Sequence, residues 1–389
     1  LLVEVTFLSQ ISTFMIPTKI IYGEGSVSRI GQVAGEFGPT AVVIAGCGSA
    51  SKSGALECVR NSLDDSGIRL SLYSGIPQEP DLDNVRRLLR FLEEVRPDVL
   101  IALGGGSVLD VGKAASGLYA APLDISSYFY GEPIPKRSLR WIAMPTTAGT
   151  GSEATNNAVL IDREKKIKQS IRRDGWMPDV AIVDPELTYS MPPKVTAFTG
   201  MDALTQAIEA ATSRYANPLT RPYALYSAQV IGQNIVAAYR NGKDRCSRGY
   251  MTQGSLLAGI ALANARLGAV HGLAHPLGQR YGLNHGVVCA LLLPWVMEYN
   301  LPVAKREYAR IFRSWGGEGQ DVEELAWGAI AYVRNLLVEL DFPAGLGMLG
   351  LDEADCQDLA ELGVNSGSTK ANPRAVTPQD LAQILKNAM

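Results

Sequence analysis

Cysteine and histidine are scarce in this chain, charge is nearly balanced and no apolar run approaches membrane length; each shortage narrows the function. The five cysteines, Cys47, Cys58, Cys246, Cys289 and Cys356, are odd in number and dispersed over 389 residues. No C-x-x-C pair occurs, which excludes a disulfide scaffold and points to a reducing, cytoplasmic setting. The 36 basic side chains face 39 acidic ones, a formal charge of -3, so no basic surplus exists to hold a phosphate backbone and no nucleic-acid partner is expected. Apolar stretches such as Ile142 to Pro145 and Val287 to Trp295 fall far short of the roughly twenty residues of a membrane helix, so no membrane partner is expected either. The opening LLVEVTFLSQISTF lacks the basic stretch and small-residue cleavage site of a signal peptide and does not begin with methionine. Residues 1–15 are therefore expected to be an irregular or extraneous start and are assigned no function.

What is present is enough apolar material for two cores. Hydrophobic residues make up 47% of a chain too long for one ordinary domain. From Thr40 to about Thr188 short β-branched runs recur, TAVVIAG, RLSLYSG, DVLIALGGGS, RWIAMPTT and DVAIVD, with helical stretches between most of them. Alternating strands and helices predict a parallel sheet with helices on both faces. The connecting segment Asp81 to Arg96 places Val85, Leu88, Leu89 and Leu92 on one side of a helix. After Met191-Pro192-Pro193 the β-rich runs stop and alanine- and leucine-rich stretches continue to the end. The expected division is an α/β domain over 1–190 and an all-helical domain over 191–389.

Two loops have the chemistry of anion binding. In Asp98 to Lys113, DVLIALGGGSVLDVGK, an apolar strand runs into three glycines and a serine before a helix. Glycines let the backbone approach an anion, and the free N–H groups of the helix start point at it. A second loop, Met144 to Glu153, MPTTAGTGSE, follows another strand with Thr146, Thr147, Thr150 and Ser152 between small residues. Ligands collect at the carboxyl ends of strands in open parallel sheets, so the pair suggests one nucleotide lying across one edge. The plainer reading of each is a tight turn with local capping hydrogen bonds.

All three histidines, His271, His275 and His285, fall inside one fifteen-residue stretch, HGLAHPLGQRYGLNH. Imidazole is the commonest ligand for divalent transition metals and titrates near neutrality, so the cluster proposes a metal or proton-transfer site. His271 and His275 are four apart, and Pro276 is expected to end or bend their helix just after His275. His285 stands where a new helix can start, with Asn284 as its N-cap. In Thr199 to Thr212, TGMDALTQAIEAAT, Asp202 and Gln206 share a helix face and Glu209 lies on roughly the same side. One carboxylate with two or three imidazoles suffices to hold a divalent cation and leave a position open for a substrate oxygen.

With GGGSVLDVGK, MPTTAGTGSE, DPELTYSMPP, GMDALTQAIE and HGLAHPLGQRYGLNHG in this order, the chain resembles the iron-containing alcohol dehydrogenase family. The likeness runs from PTKIIYGEGSVSRIG to NPRAVTPQDLAQIL. It implies an N-terminal Rossmann-like α/β domain binding NAD or NADP and a C-terminal all-helical domain, the architecture shared with dehydroquinate synthases. It also implies a divalent metal, iron or zinc, in the cleft. Gly105, Gly106 and Ser107 would face the pyrophosphate, and Thr146, Thr147, Thr150, Asn157, Lys168 and Leu187 would complete the cofactor site. The resemblance assigns Asp202, His271 and His285 to the metal and makes His275 a proton relay beside the cofactor.

Two positions depart from the family pattern. Gln206 stands where the family usually has a metal-ligand histidine; its amide oxygen is a weaker donor than imidazole, or its NH₂ serves a metal-free pocket. Gly46, after the first strand of the run, stands where many relatives carry an aspartate that hydrogen-bonds the adenosine ribose and repels the extra phosphate of NADP. Ser49, Ser51 and Lys52 follow it and are candidates to contact such a phosphate. The expected activity is interconversion of an alcohol with an aldehyde or ketone by hydride transfer, in a homo-oligomer of two or more copies. Alternatives are a metal-free reductase of an activated carbonyl, like the maleylacetate reductases, and a carbon–oxygen lyase like the dehydroquinate synthases.

Overall fold

The computed structural model describes residues 11–48 and 53–389. The described residues fall into two compact units: 16–48 and 53–191 with 243–252, and 11–15 with 192–242 and 253–389. Residues 11–15 go with the helical unit, where Asn264 binds both the N–H (2.7 Å) and the carbonyl (3.1 Å) of Met15.

The α/β unit contains strands β1 (Lys19–Tyr22), β2 (Thr40–Gly46), β3 (Arg69–Ile76), β4 (Val99–Gly104), β5 (Arg140–Pro145), β6 (Asn157–Asp162), β7 (Ile167–Arg172) and β8 (Val180–Val183). Its helices are α1 (Ile30–Gly35), α2 (Ala55–Asp65), α3 (Leu82–Val95), α4 (Gly106–Leu118) and α5 (Ile125–Phe129). Six strands form one parallel sheet in the order β1-β8-β5-β4-β2-β3. The chain moves outward from β2 to β3 and then returns to the other side of β2 with β4, so the strand order reverses between β2 and β4. All of β4 is buried, as a strand covered on both faces must be. Val43, Ile101 and Ile182 pack against Val33, Val59 and Leu63 from α1 and α2. On the opposite face α4 lies so close that a Cβ on Gly112 would meet Ala102 Cβ at 2.9 Å. Each fully buried Val, Leu or Ile here is worth about 1.5–3 kcal/mol over its exposed state.

α3 begins where its sequence says it should. Asp81 accepts from the Asn84 N–H at 2.9 Å while Asn84 returns a bond to the Asp81 N–H, a reciprocal cap. β1 and the antiparallel pair β6–β7 lie outside the five expected strands.

The helical unit holds α6 (Pro193–Thr212), α7 (Arg221–Arg240), α8 (Arg245–Ala265, whose first residues group with the α/β unit), α9 (Ala269–Tyr281), α10 (His285–Ser314), α11 (Val322–Glu339), α12 (Cys356–Val364) and α13 (Pro378–Asn387). Pro276 does not end α9, which continues to Tyr281. A proline in mid-helix removes one N–H donor and crowds the preceding turn, and here the surrounding helices outweigh that local penalty. α10 starts at His285 with the Asn284 side chain accepting from the Gly286 N–H at 3.0 Å. Among the described residues α10 is long and apolar enough to cross a membrane, but 72% of its most apolar stretch is buried inside the protein, the mark of a core helix.

Candidate functional site

In the helical unit, α6 sets the register of the histidine cluster. Asp202, Gln206 and Glu209, at i, i+4 and i+7, are all buried on one face. Gln206 Nε2 donates to Asp202 Oδ2 at 3.1 Å, which turns the other carboxylate oxygen, Oδ1, towards the histidines. His271 Nε2 lies 3.3 Å and His285 Nε2 3.7 Å from that oxygen.

Glycines allow the three helices this proximity. A Cβ on Gly286, next to His285, would stand 2.2 Å from the Phe198 carbonyl oxygen of α6. A Cβ on Gly268, just before α9, would stand 2.7 Å from Glu209 Oε1. Side chains at either position would push α9 or α10 off α6, and the histidines with them.

Glu209 fixes the ring of His271. Its Oε1 accepts the Val270 N–H at 2.8 Å, one of the donors left over at the start of α9, and its Oε2 lies 2.6 Å from His271 Nδ1. With the proton on Nδ1, the Nε2 lone pair is the one presented to Asp202. Burial disfavours charge on His271, yet Cys289, Glu209 and Asp202 around it hold its pKa well above the ordinary value. Burial would raise Asp202, but the His271 and His285 rings keep it below the usual carboxylate range. The cluster is therefore anionic in character and favours a positive charge at its centre.

Cys289, one turn after His285 on α10, completes the group. Its buried sulfur lies 3.6 Å from His285 Nε2 and 4.0 Å from His271 Nε2. One ligand atom from each of Asp202, His271, His285 and Cys289 lies within 4.8 Å of all the others. Burial pushes the free thiol up to about 12. Asp202 Oδ1 and Gln206 Oε1 are buried oxygens without a hydrogen-bond partner. Such an orphan costs about 1–3 kcal/mol, so an unpartnered Asp202 Oδ1 beside the two histidine nitrogens fits a cation. His275 is half-buried, and its ring stands edge-on to that of His285 with centroids 5.3 Å apart. The sequence reading passed over Cys289 as one of five dispersed thiols; its signal was the four-residue spacing from His285.

The α/β unit brings its two loops together at the carboxyl ends of the adjacent strands β4 and β5. A Cβ on Gly105 would meet Thr147 at 3.3 Å, and one on Gly106 would meet Thr150 Cγ2 at 2.6 Å. Gly105 is the N-cap of α4 and supplies no side-chain cap, so the helix start offers bare backbone. Ser107 donates to the Gln78 carbonyl and Thr146 bonds through its N–H to Gly104 O at 3.0 Å. Gly46 ends β2, beside the reversal in strand order. Ser49, Ser51 and Lys52 lie outside the described residues.

The second loop is held from below by Lys113, which is fully buried in α4. Its Nζ donates to Ser152 O (2.9 Å), Ser152 Oγ (2.9 Å), Thr155 Oγ1 (2.8 Å) and the Asn157 carbonyl (2.8 Å). Burial draws its pKa down to about 8, against the opposing pull of the Asp110 and Glu153 carboxylates. Asp110 assists from the same helix, accepting from Ser152 Oγ at 2.6 Å and from the Val159 N–H at 2.9 Å. Asn157 thus serves the loop through its backbone. Lys168, on β7, pairs with Glu79 Oε1 at 2.7 Å, and Leu187 is buried in the α/β core.

A doubly covered parallel sheet with glycine- and threonine-rich loops at its strand ends, together with a helical unit carrying a carboxylate–imidazole–thiol cluster, is the equipment expected of a nicotinamide-dependent oxidoreductase. Residues 17–185 match the family pattern of iron-containing alcohol dehydrogenase and residues 196–389 that of the Fe-containing alcohol dehydrogenase family, C-terminal. The chain belongs to the iron-containing alcohol dehydrogenase family. It is 32% identical to an NADPH-dependent butanol dehydrogenase of Clostridium saccharobutylicum, with 96% of this chain and 97% of the relative covered. It is also 32% identical to an NAD-dependent methanol dehydrogenase of Bacillus methanolicus, with 97% and 100% covered. A solved 1,3-propanediol oxidoreductase superposes with a TM-score of 0.92 at 34% identity, over 98% of this chain and 100% of the other. The protein is an NAD(P)-dependent oxidoreductase acting on CH–OH groups, and its family implies a nicotinamide dinucleotide and a divalent metal. The carbon–oxygen lyase reading is set aside.

Proposed function

We propose that the protein interconverts a small alcohol and its aldehyde or ketone, with Asp202, His271 and His285 holding a divalent cation. The observation that carries this is the convergence of those three donors, with Asp202 Oδ1 itself a buried oxygen that lacks a hydrogen-bond partner. The nicotinamide carries the hydride, and the metal when bound draws electron density from the substrate oxygen. Everything else falls to the side chains. Glu209 keeps the His271 lone pair aimed at the cluster, and Gln206 stands at the fourth position, as a ligand through its amide oxygen or as a clamp on Asp202. His275 passes the alcohol proton towards solvent, a task suited to a half-buried imidazole.

Gly105, Gly106, Ser107, Thr146, Thr147 and Thr150 form the phosphate-facing part of the dinucleotide site, with Asn157, Lys168 and Leu187 around it. Gly46 supports use of both NADH and NADPH, since no carboxylate there repels a 2′-phosphate. The glycine is not demanded by space, because a Cβ would make only ordinary contacts, 3.5 Å to Val108 Cγ2. Five unpaired cysteines, three of them exposed, support a reducing, cytoplasmic setting, and assembly into dimers or larger oligomers belongs to the same reading.

The test is metal analysis of the isolated protein with titrations of NADH and NADPH. Stoichiometric metal that disappears with activity in His271→Ala supports the proposal; a protein that binds neither dinucleotide refutes it. One observation favours the metal-free alternative: a protonated His271 between Asp202 (3.3 Å) and Glu209 (2.6 Å) would bridge both carboxylates and offset one of their two charges without a metal. Full carbonyl reductase activity in protein free of metal would establish that alternative.

A further inference from the structure

We propose that Cys289 is a ligand of the metal centre, bound as thiolate, and that Gln206 is a positioning residue that holds Asp202 in place. This deepens the metal-binding reading above and rests on it. Bond lengths to zinc of about 2.0 Å for oxygen and nitrogen and about 2.3 Å for sulfur give tetrahedron edges of about 3.3 Å between O and N and about 3.6 Å between S and N. The protein shows 3.3 and 3.7 Å for Asp202 Oδ1 to the two histidine nitrogens, and 3.6 and 4.0 Å for Cys289 Sγ to the same nitrogens. Cys289 lies one turn after His285, so both side chains leave α10 on one face. The sulfur is buried and directed at ring nitrogens, although a purely packing cysteine has no need of them.

The Gln206 NH₂ donates to Asp202 Oδ2, which leaves Oδ1 as the oxygen turned to the cluster and ties the amide to the position of that carboxylate. Asp202 and a Cys289 thiolate together balance the charge of a divalent cation. A thiolate among the donors shifts preference towards zinc and cobalt and away from the harder manganese. The identity of the fourth donor is thus a specificity determinant for the metal.

The decisive measurement is X-ray absorption at the zinc edge on the zinc-loaded full-length protein. The expected shell contains one sulfur at about 2.3 Å beside nitrogen and oxygen at about 2.0–2.1 Å. Loaded with cobalt(II), the protein should show a thiolate-to-cobalt charge-transfer band in the near ultraviolet. That band should persist when the other four cysteines are replaced by serine and vanish in Cys289→Ser. Selectivity for zinc over manganese should fall at least about tenfold in the same variant. Bound zinc with a shell of nitrogen and oxygen alone overturns the role of Cys289 and leaves the metal reading standing. Failure of the wild-type protein to bind zinc, cobalt or iron overturns both. The absorption experiment uses the wild-type chain, so it decides the matter even if Cys289→Ser fails to fold.

Discussion

Glu209 touches no metal in the proposed site, and its removal should nonetheless weaken metal binding sharply. In Glu209→Gln the shape is kept, but the amide has one acceptor oxygen for two donors, the Val270 N–H at 2.8 Å and His271 Nδ1 at 2.6 Å. Either the NH₂ faces the Val270 N–H, or it faces the ring and favours the tautomer that turns the proton towards Asp202. Losing a hydrogen bond to a charged group removes about 1.5–3 kcal/mol. At about 1.4 kcal/mol per decade that is about a 10–100-fold rise in the metal dissociation constant, the range typical of lost partners behind a ligating histidine. The assay is competition between protein and a chromophoric chelator for zinc, with circular dichroism to verify that the variant remains helical. Repeating it for Glu209→Gln in a His271→Ala background closes a double-mutant cycle. An affinity within about twofold of wild type, or an equal loss without His271, would refute the claim that Glu209 acts through that ring.

Three further outcomes are expected. Gly286→Ala places a Cβ 2.2 Å from the Phe198 carbonyl, so thermal unfolding should show a loss of about 1–3 kcal/mol and metal affinity should fall as His285 moves away from Asp202. Gly46→Asp should raise the ratio of kcat/KM with NADH to that with NADPH by about tenfold or more, because the new carboxylate repels a 2′-phosphate. An unchanged ratio would show that the end of β2 does not face the ribose. Burial works against the charge of Asp179, but Arg137, the Trp141 N–H and Arg140 outweigh it and hold the carboxyl below its usual range. A depressed carboxylate stabilises the fold fully above the unfolded value of about 3.9 and loses that contribution as pH falls through the folded value. The stability gap between wild type and Asp179→Asn in urea should therefore hold above about pH 5 and narrow as pH falls below about 4.

The strands covered on both faces were legible because continuous β-branched runs such as TAVVIAG and VLIALG have few other uses. β1 has only KIIY, too short for any periodicity, and β6–β7, NAVLID and IKQSIR, lack a clean polar–apolar alternation and are joined by the charged turn Arg163 to Lys166, which has no glycine signal. At the site, His271 and His285 drew attention because all three histidines cluster in one short stretch, whereas Asp202 was named through the family resemblance. Cys289 did not, since a lone cysteine in GVVCALLLPW reads as core, and only the approach of α10 to α6 at Gly286 reveals what its sulfur faces. Of the two expectations at Pro276, an end or a bend, the end is not what is found: local propensity argued for it, and tertiary packing carried α9 onward to Tyr281.

The buried ammonium of Lys113 has a consequence for how a dinucleotide would be received. Four oxygens from Ser152, Thr155 and Asn157 already bind it. The loop above is therefore preorganised, and an arriving ligand does not have to freeze it. Each mobile side chain that must be immobilised on binding costs about 0.5–1.5 kcal/mol, and a loop set in advance avoids much of that entropy. Lys113→Met should then leave the fold of the sheet largely intact yet make dinucleotide binding entropically dearer, a difference that calorimetry can read separately from affinity.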